Sequence, residues 1–218
     1  VNLDLAGGVS DLAVNYSTLL GAQTAGLTLI AAQDNTATLK VSDAVNMLQF
    51  VDLDAASDTA INLAGGISDT ADNLMSDDGN TAVTAFTNAR TQKTDVDVNI
   101  TDAPTVDQLN AIHALTTGKI TAAISGNVAD LVSISTDGTD DITITVNDAA
   151  TIAQTVTLDG VTAVNLDLAG GISDTAIAMM STDGNTAVTA FTTATNQDTD
   201  VDLAITGTNA TVDQLNKI

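Results

Sequence analysis

Hard oxygen ligands cluster at three turns of this sequence: STDGTDD at Ser135–Asp141, MSDDGN at Met75–Asn80 and STDGN at Ser181–Asn185. Carboxylates and hydroxyls gathered around a flexible glycine are the ligand type that calcium takes, and Asp137, Asp140 and Asp141 form the candidate metal set. The same residues also make ordinary Asp-Gly turns, and on sequence both readings stand. An EF-hand would need a closing Glu, which the chain lacks, and no GGxGxD series is present.

Catalytic chemistry has less to start from. The sole histidine, His113, falls one position beyond an apolar stripe and is expected to be an exposed helix residue rather than a zinc ligand. Asp95 and Asp97 are spaced as a carboxylate pair, but no apolar pocket is predicted to raise one of them for glycoside hydrolysis. Arg90 and Lys93 are replaced by Thr195 and Asp198 in a later repeat, so no cationic site is retained. No serine elbow, phosphate loop or dinucleotide fingerprint appears. The expectation is no enzyme, no catalytic residues and no cofactor other than calcium at the Asp set.

Composition narrows the partners. All 28 acidic residues are Asp, only five residues are Lys or Arg, and the formal charge is -23. Such a field repels nucleic acid and anionic membranes, so neither nucleic-acid binding nor membrane insertion is expected. The 44% hydrophobic content is ample for a core. Asp without Glu points to turns and helix caps, because the shorter arm reaches its own backbone and disfavours helix interiors. With no cysteine, disulfides and thiolate sites are absent and the redox compartment is open. No uncharged apolar run is long enough to span a membrane.

The chain repeats itself. LAGGISDT stands at Leu63–Thr70 and Leu168–Thr175, with LAGGVSDL at Leu5–Leu12. Ile61–Thr101 aligns with Leu166–Thr206, with 29 of 41 positions identical, and after an insertion at Gly207–Asn209 the TVDQLN of residues 105–110 meets that of 211–216. The long repeat thus matches 61–112 to 166–218. VNLDLAGG at Val1–Gly8 recurs at Val164–Gly171, so the chain starts and stops inside units; we expect a single solenoid segment over 1–218, cut from a longer array.

Within the repeat, alternating segments read as strands: NLDL (2–5), TLKVS (38–42), DVDVNIT (95–101), KITAAIS (119–125), DITITVN (141–147), AVNLDL (163–168) and DVDLAIT (200–206). From Asp95 to Ala163 their starts lie 22 to 24 residues apart, too far for hairpins and enough for a strand plus one return element. The return elements read as short helices: Thr105 with Gln108, Thr151 with Gln154 and Thr211 with Gln214 are capping boxes. Pro104 stands just before its helix, Ser68–Asp69 and Ser173–Asp174 are candidate caps, and TAVTAF at 81–86 and 186–191 marks an extra helix in the longer units. LAGGISDT then reads as strand end, glycine turn and helix start. The fold expected is α/β: a right-handed repeat solenoid of strand–turn–short helix coils with one continuous parallel β-sheet, the alternative being a parallel β-helix.

If apolar strand residues face inward, Asp97, Thr121, Thr143, Asn165 and Asp202 share one outward row, and Asn99, Ala123, Thr145, Asp167 and Ala204 the next. Neutral neighbours then separate the acids. The row is a solvated face or a sugar- or partner-binding one.

The phrases ISDTA, TVDQLNAI and NDAATIAQ resemble those of very large repeat-containing bacterial cell-surface proteins, notably cyanobacterial ones, over nearly the whole chain. The resemblance implies extracellular location at the cell surface, export without a cleaved N-terminal signal in many relatives, and a role in a surface layer, adhesion or surface motility. It supplies no catalytic residues, and the sequence departs from the toxin-like calcium repeat common in such giants. The expected function is a stiff spacer or scaffold whose partners are neighbouring repeats or like molecules end to end. Calcium-assisted adhesion or glycan binding is the alternative; ice binding through Thr143 and Thr145 and a glycan-cleaving β-helix are weaker readings.

Overall fold

The computed structural model describes Leu5 and residues 7–76, 81–181, 186–207 and 210–218. It is a mixed α/β chain whose strands pair in parallel and whose connections carry helices. The chain divides into two compact units, Val1–Ile120 and Thr121–Ile218.

In the first unit β1 (Val9–Asp11), β2 (Leu39–Val41) and β3 (Asn62–Leu63) pair side by side, with Val9 opposite Leu39 and Val41 opposite Leu63. β4 (Ile67–Asp69) pairs with β5 (Val98–Ile100), Ile67 opposite Val98. Between strands run α1 (Ala13–Tyr16), α2 (Ala25–Gln33), α3 (Met47–Ala56), α4 (Ala71–Leu74) and α5 (Thr84–Gln92), and α6 (Val106–His113) follows β5. The second unit pairs β6 (Ile120–Gly126) with β7 (Asp141–Val146), and β8 (Ile172–Thr175) with β9 (Leu203–Thr206). Its helices are α7 (Val128–Leu131), α8 (Ile152–Asp159), α9 (Ala176–Met179), α10 (Thr189–Gln197) and α11 (Val212–Leu215).

Alternation builds each core. In β6 and β7 every second residue is buried, so Ile124, Ile142, Ile144 and Val146 join Ile152 and Leu158 of α8 among the buried side chains. In the first unit Leu39, Val41, Leu63 and Ile67 face in with Leu27, Phe50, Leu53 and Phe86 from the helices. Each full burial of such a side chain stabilises by about 1.5–3 kcal/mol. The capping boxes form as their spacing predicts at Thr105, Thr151 and Thr211, and a fourth forms at Asn46 with Gln49.

Three expectations are corrected and one further element appears. LAGGISDT does not pass from glycine turn to helix: the residues after the glycines are a second strand, β4 or β8, and the helix cap is Thr70 or Thr175 rather than Ser68–Asp69 or Ser173–Asp174. AVNLDL makes only a single parallel bridge, Asp167 with Thr145, because the chain turns at Gly171 before a ladder can lengthen. A long coil with its own extra helix, α2, exists also at residues 9–39, where little sequence identity marks it. His113 is half-buried at the end of α6, at the edge of the stripe formed by Leu109 and Ile112. The strand expected at Asn2–Leu5 and the insertion at Gly207–Asn209 fall largely outside the described residues.

Candidate functional site

The glycine corner recurs three times among the described residues. Gly8, Gly66 and Gly171 all take positive φ (70°, 79° and 77°), a conformation that side-chain-bearing residues rarely adopt. Each lets the next residue rejoin a strand one long coil ahead: Val9 N–H donates to Thr38 O, Ile67 N–H to Asp97 O and Ile172 N–H to Asp202 O, at 2.8–2.9 Å. The preceding glycine has a different task. A Cβ on Gly65 would lie 2.0 Å from the Asp43 carbonyl carbon, and one on Gly170 2.1 Å from that of Asp148. Both glycines are thus fixed by backbone passing close by.

Aspartates clamp successive coils. The first backbone N–H of a helix has no partner inside the helix, and in five helices it donates to the carboxylate of an Asp one coil further on. Ala13 donates to Asp43 (2.6 Å), Met47 to Asp69 (2.8 Å) and Ala71 to Asp102 (2.7 Å). Val128 donates to Asp148 (2.6 Å) and Ile152 to Asp174 (3.1 Å). Asp69 also accepts from Thr70 N–H and the Asn73 amide at 2.8 and 2.7 Å. Hydrogen bonds to a charged acceptor contribute about 1.5–3 kcal/mol each, and the negative charge suits the helix N-terminus. Many of the acids thus hold coils together rather than wait for a ligand.

The turn carrying the candidate metal set is likewise internally bonded. Asp137 Oδ1 accepts from Thr139 N–H at 2.8 Å and from its hydroxyl at 2.5 Å. Asp140 is buried, its N–H donates to Asp137 O at 3.1 Å, and its Oδ2 lies 3.5 Å from Asp137 N. Asp141 opens β7 opposite Thr121. Among the described residues no three His, Cys, Asp or Glu side chains are grouped to hold a metal ion. The acidic parts of the other two turns, residues 77–80 and 182–185, lie outside the described residues.

The outward rows are exposed apart from the half-buried Thr145, but their register differs. Ala123 faces Thr143 and Ser125 faces Thr145, so Thr121 stands beside Asp141 rather than Thr143. A two-residue shift leaves every side chain on its own face, so alternation cannot set it. Ala204 pairs with Ser173, not Asp167, because the chain has already turned the glycine corner. Thr145 Oγ1 donates to Asp167 Oδ2 at 3.1 Å, and Asn99 Nδ2 to Ser68 Oγ at 2.8 Å. Asp97 Oδ1 accepts from Lys119 N–H at 2.9 Å, and Asp95 lies 3.4 Å from Lys93 Nζ. These two acids serve separate local bonds.

Two depressions open on the first unit, one of about 220 Å³ beside Ser10, Thr38, Lys40 and Asn62, the other of about 320 Å³ beside Asn62, Gln92 and Lys93. Tyr16 donates at 3.3 Å to the carbonyl oxygen of Lys40, a residue lining the first, and burial, with the Asp11 charge, pushes its hydroxyl pKa up to about 12. Sequence reasoning missed the Asp clamps, although the complete absence of Glu was their signal. Among the described residues no helix is long and apolar enough to cross a membrane. No family model, curated protein or solved structure matches this chain.

Proposed function

We propose that this chain is a non-catalytic structural repeat segment, a right-handed solenoid with one continuous parallel sheet, acting as a stiff spacer in a large secreted cell-surface protein. What carries this reading is that one joint is built twice from the same residues. The glycine corner and the Asp clamp recur in both units with matching bonds, and joints that repeat make length a simple function of copy number. Its partners are neighbouring repeats, and its place is the cell surface, as the resemblance in ISDTA and TVDQLNAI implies.

The test lengthens the molecule. Extra copies of residues 61–165, inserted after Asn165, each add four coils, which at about 4.8 Å per strand lengthen a solenoid by about 19 Å. Small-angle scattering should show maximum dimension rising linearly with copy number at constant cross-section. A radius of gyration that instead follows the compact scaling of about 2.2·N^0.38 Å would overturn the reading. Millimolar calcium separates the adhesion alternative: a melting shift abolished by Asp137→Asn would favour it over the plain spacer.

A further inference from the structure

Three long coils carry the same small hairpin between a four-residue helix and a longer one. In the first, Thr24 N–H donates to Tyr16 O and Thr18 N–H to Ala22 O, both at 2.9 Å. Val83 N–H with Leu74 O and Ser76 N–H with Thr81 O repeat this in the second, and Val188 N–H with Met179 O and Ser181 N–H with Thr186 O in the third. In sequence the bracketed stretches are TLLGA (18–22), SDDGNT (76–81) and STDGNT (181–186), so Leu19 and Leu20 align with Asp77 and Asp78 and with Thr182 and Asp183. Gly21 N–H donates to Thr18 O at 3.0 Å, which makes the two leucines the middle pair of a tight turn, a place that Asp, Asn, Ser, Gly and Pro favour. Burial does not explain them, since Leu19 is 68% and Leu20 87% exposed.

The hairpin leans on the coil that follows it. Asn46 Nδ2 donates to Leu19 O and Gln49 Nε2 to Ser17 O, both at 3.0 Å, and a Cβ on Gly21 would lie 2.9 Å from Leu48 Cβ. Leu48 and Val51, one turn apart on the outward side of α3, are 54% and 49% exposed. α3 touches α2 before it and α5 after it, so this face is open to solvent in the middle of consecutive coils. The matching outward places hold Asp107 and Asn110 in α6, and Ala153 and Val156 in α8. Leu19, Leu20, Leu48 and Val51 thus gather into one apolar patch where the other coils are mostly polar or small, and a contiguous exposed apolar patch marks an interaction surface.

We propose that this patch docks a basic amphipathic segment of another protein, its apolar side chains on Leu19, Leu20, Leu48 and Val51 and its Lys or Arg rim toward the surrounding acids. Charge selects among apolar partners. No Lys or Arg stands in the hairpin or in α3, and the whole chain carries -23. Asp52 borders the patch, accepting from Ser17 Oγ on its carboxylate at 2.5 Å and from Gln23 Nε2 on its carbonyl at 3.4 Å. Such a field draws a cationic partner and repels both a second copy of this chain and an anionic membrane. The proposal uses one pair of neighbouring coils and does not depend on the spacer reading.

Fluorescence anisotropy in about 0.15 M salt tests it, with a labelled synthetic peptide of about 14 residues, leucine along one face and lysine along the other. The deciding variant combines Leu20→Asp with Leu48→Asp, which writes the residues of the second hairpin and of α6 into the first pair of coils. It adds negative charge, so a merely electrostatic complex would tighten. A one-to-one complex with the parent chain, weakened about tenfold or more in the variant, is expected. A peptide with serine for leucine should not distinguish the two chains, and Val156→Asp, outside the patch, should bind as the parent does. Should the double variant shift the urea midpoint, Leu20→Asp alone, at the more exposed site, carries the test. Equal or tighter binding by the variant, or equal binding of a peptide with glutamate for lysine, overturns the proposal. So does dimerisation of the parent, or its flotation with phosphatidylcholine vesicles, if either is lost in the variant, for the patch then serves a second copy or a lipid surface.

Discussion

The two halves of the long repeat, Ile61–Thr101 and Leu166–Thr206, agree at their joints and differ on their surfaces. In both, a glutamine closes the start of the unit: Gln92 Oε1 accepts from Ile61 N–H at 3.1 Å and Gln197 Oε1 from Leu166 N–H at 3.3 Å. Both press a glycine against an Asp backbone, and in both the Asp of ISDT reaches back to a helix start. Elsewhere, one clamp included, the resemblance lapses. Lys93 bonds to Asp95 O, whereas Asp198, aligned with it, accepts from Leu168 N–H. Asp102 clamps Ala71, but Gly207 stands at the aligned place. Thr70 accepts from Asn73 N–H, while Thr175 makes no side-chain cap bond and Ile177 is 61% exposed where Asp72 stood. What the two divergent repeats keep is the closing glutamine, the glycine corner and the ISDT clamp, whereas the next clamp, Asp102 on Ala71, is lost.

That contrast breaks most visibly at the glycines. Gly65→Ala and Gly170→Ala force a Cβ into backbone at about 2 Å, with no flexible side chain to yield, and should each destabilise by about 3 kcal/mol or more in urea unfolding. Gly7→Ala, with open space around it, should stay within about 0.5 kcal/mol of the parent. Equal losses at Gly7 and Gly65 would mean that backbone freedom, not close approach, explains the glycine.

A smaller effect is expected at the clamps. Asp148→Ala and Asp102→Ala each leave a helix-start N–H without its carboxylate and should cost about 1–2 kcal/mol. Lys93→Asp, which writes the second repeat's residue into the first at a surface site, should change stability by less than about 0.5 kcal/mol. A clamp variant as mild as Lys93→Asp would erase the distinction between joint and surface.

The smallest effects are in titration. The Asn15 amide and Leu12 N–H hold Asp11 below its ordinary value of 3.8, and the Thr36 hydroxyl with Leu5 N–H does the same for Asp34. Such depressed groups stabilise the fold at pH above that ordinary value and lose the contribution as pH falls through their lower folded values. Asp200 runs the other way: a hydrogen bond with Asp198 and its charge raise it, so its contribution is present at low pH and fades as pH rises through its raised value. Asp198→Lys, the first repeat's residue, should return Asp200 toward 3.8, read by carboxyl NMR.

Periodicity made much legible beforehand. Strands β6, β7 and β9 and three capping boxes sit where alternation and the Thr-x-x-Gln spacing put them, since these signals are local. The register of β6 on β7 was not, because loop length rather than pattern decides between two shifts that bury the same face. Nor was β4: three residues after a glycine pair carry too short a pattern to distinguish a strand from a cap, and only the partner β5 makes them one. The clamps stayed hidden for the same reason. A bond from Ala71 to Asp102 spans 31 residues, and no local window contains both ends.

The Asp clamps also give the molecule a direction in time. Each of the five helix starts is completed by a carboxylate that lies 20 to 31 residues downstream. A chain emerging N-terminus first therefore lays down a turn whose last amide is satisfied only when the following stretch arrives. Folding behaves as a ratchet, each new stretch locking the one before it and leaving its own helix start for the next.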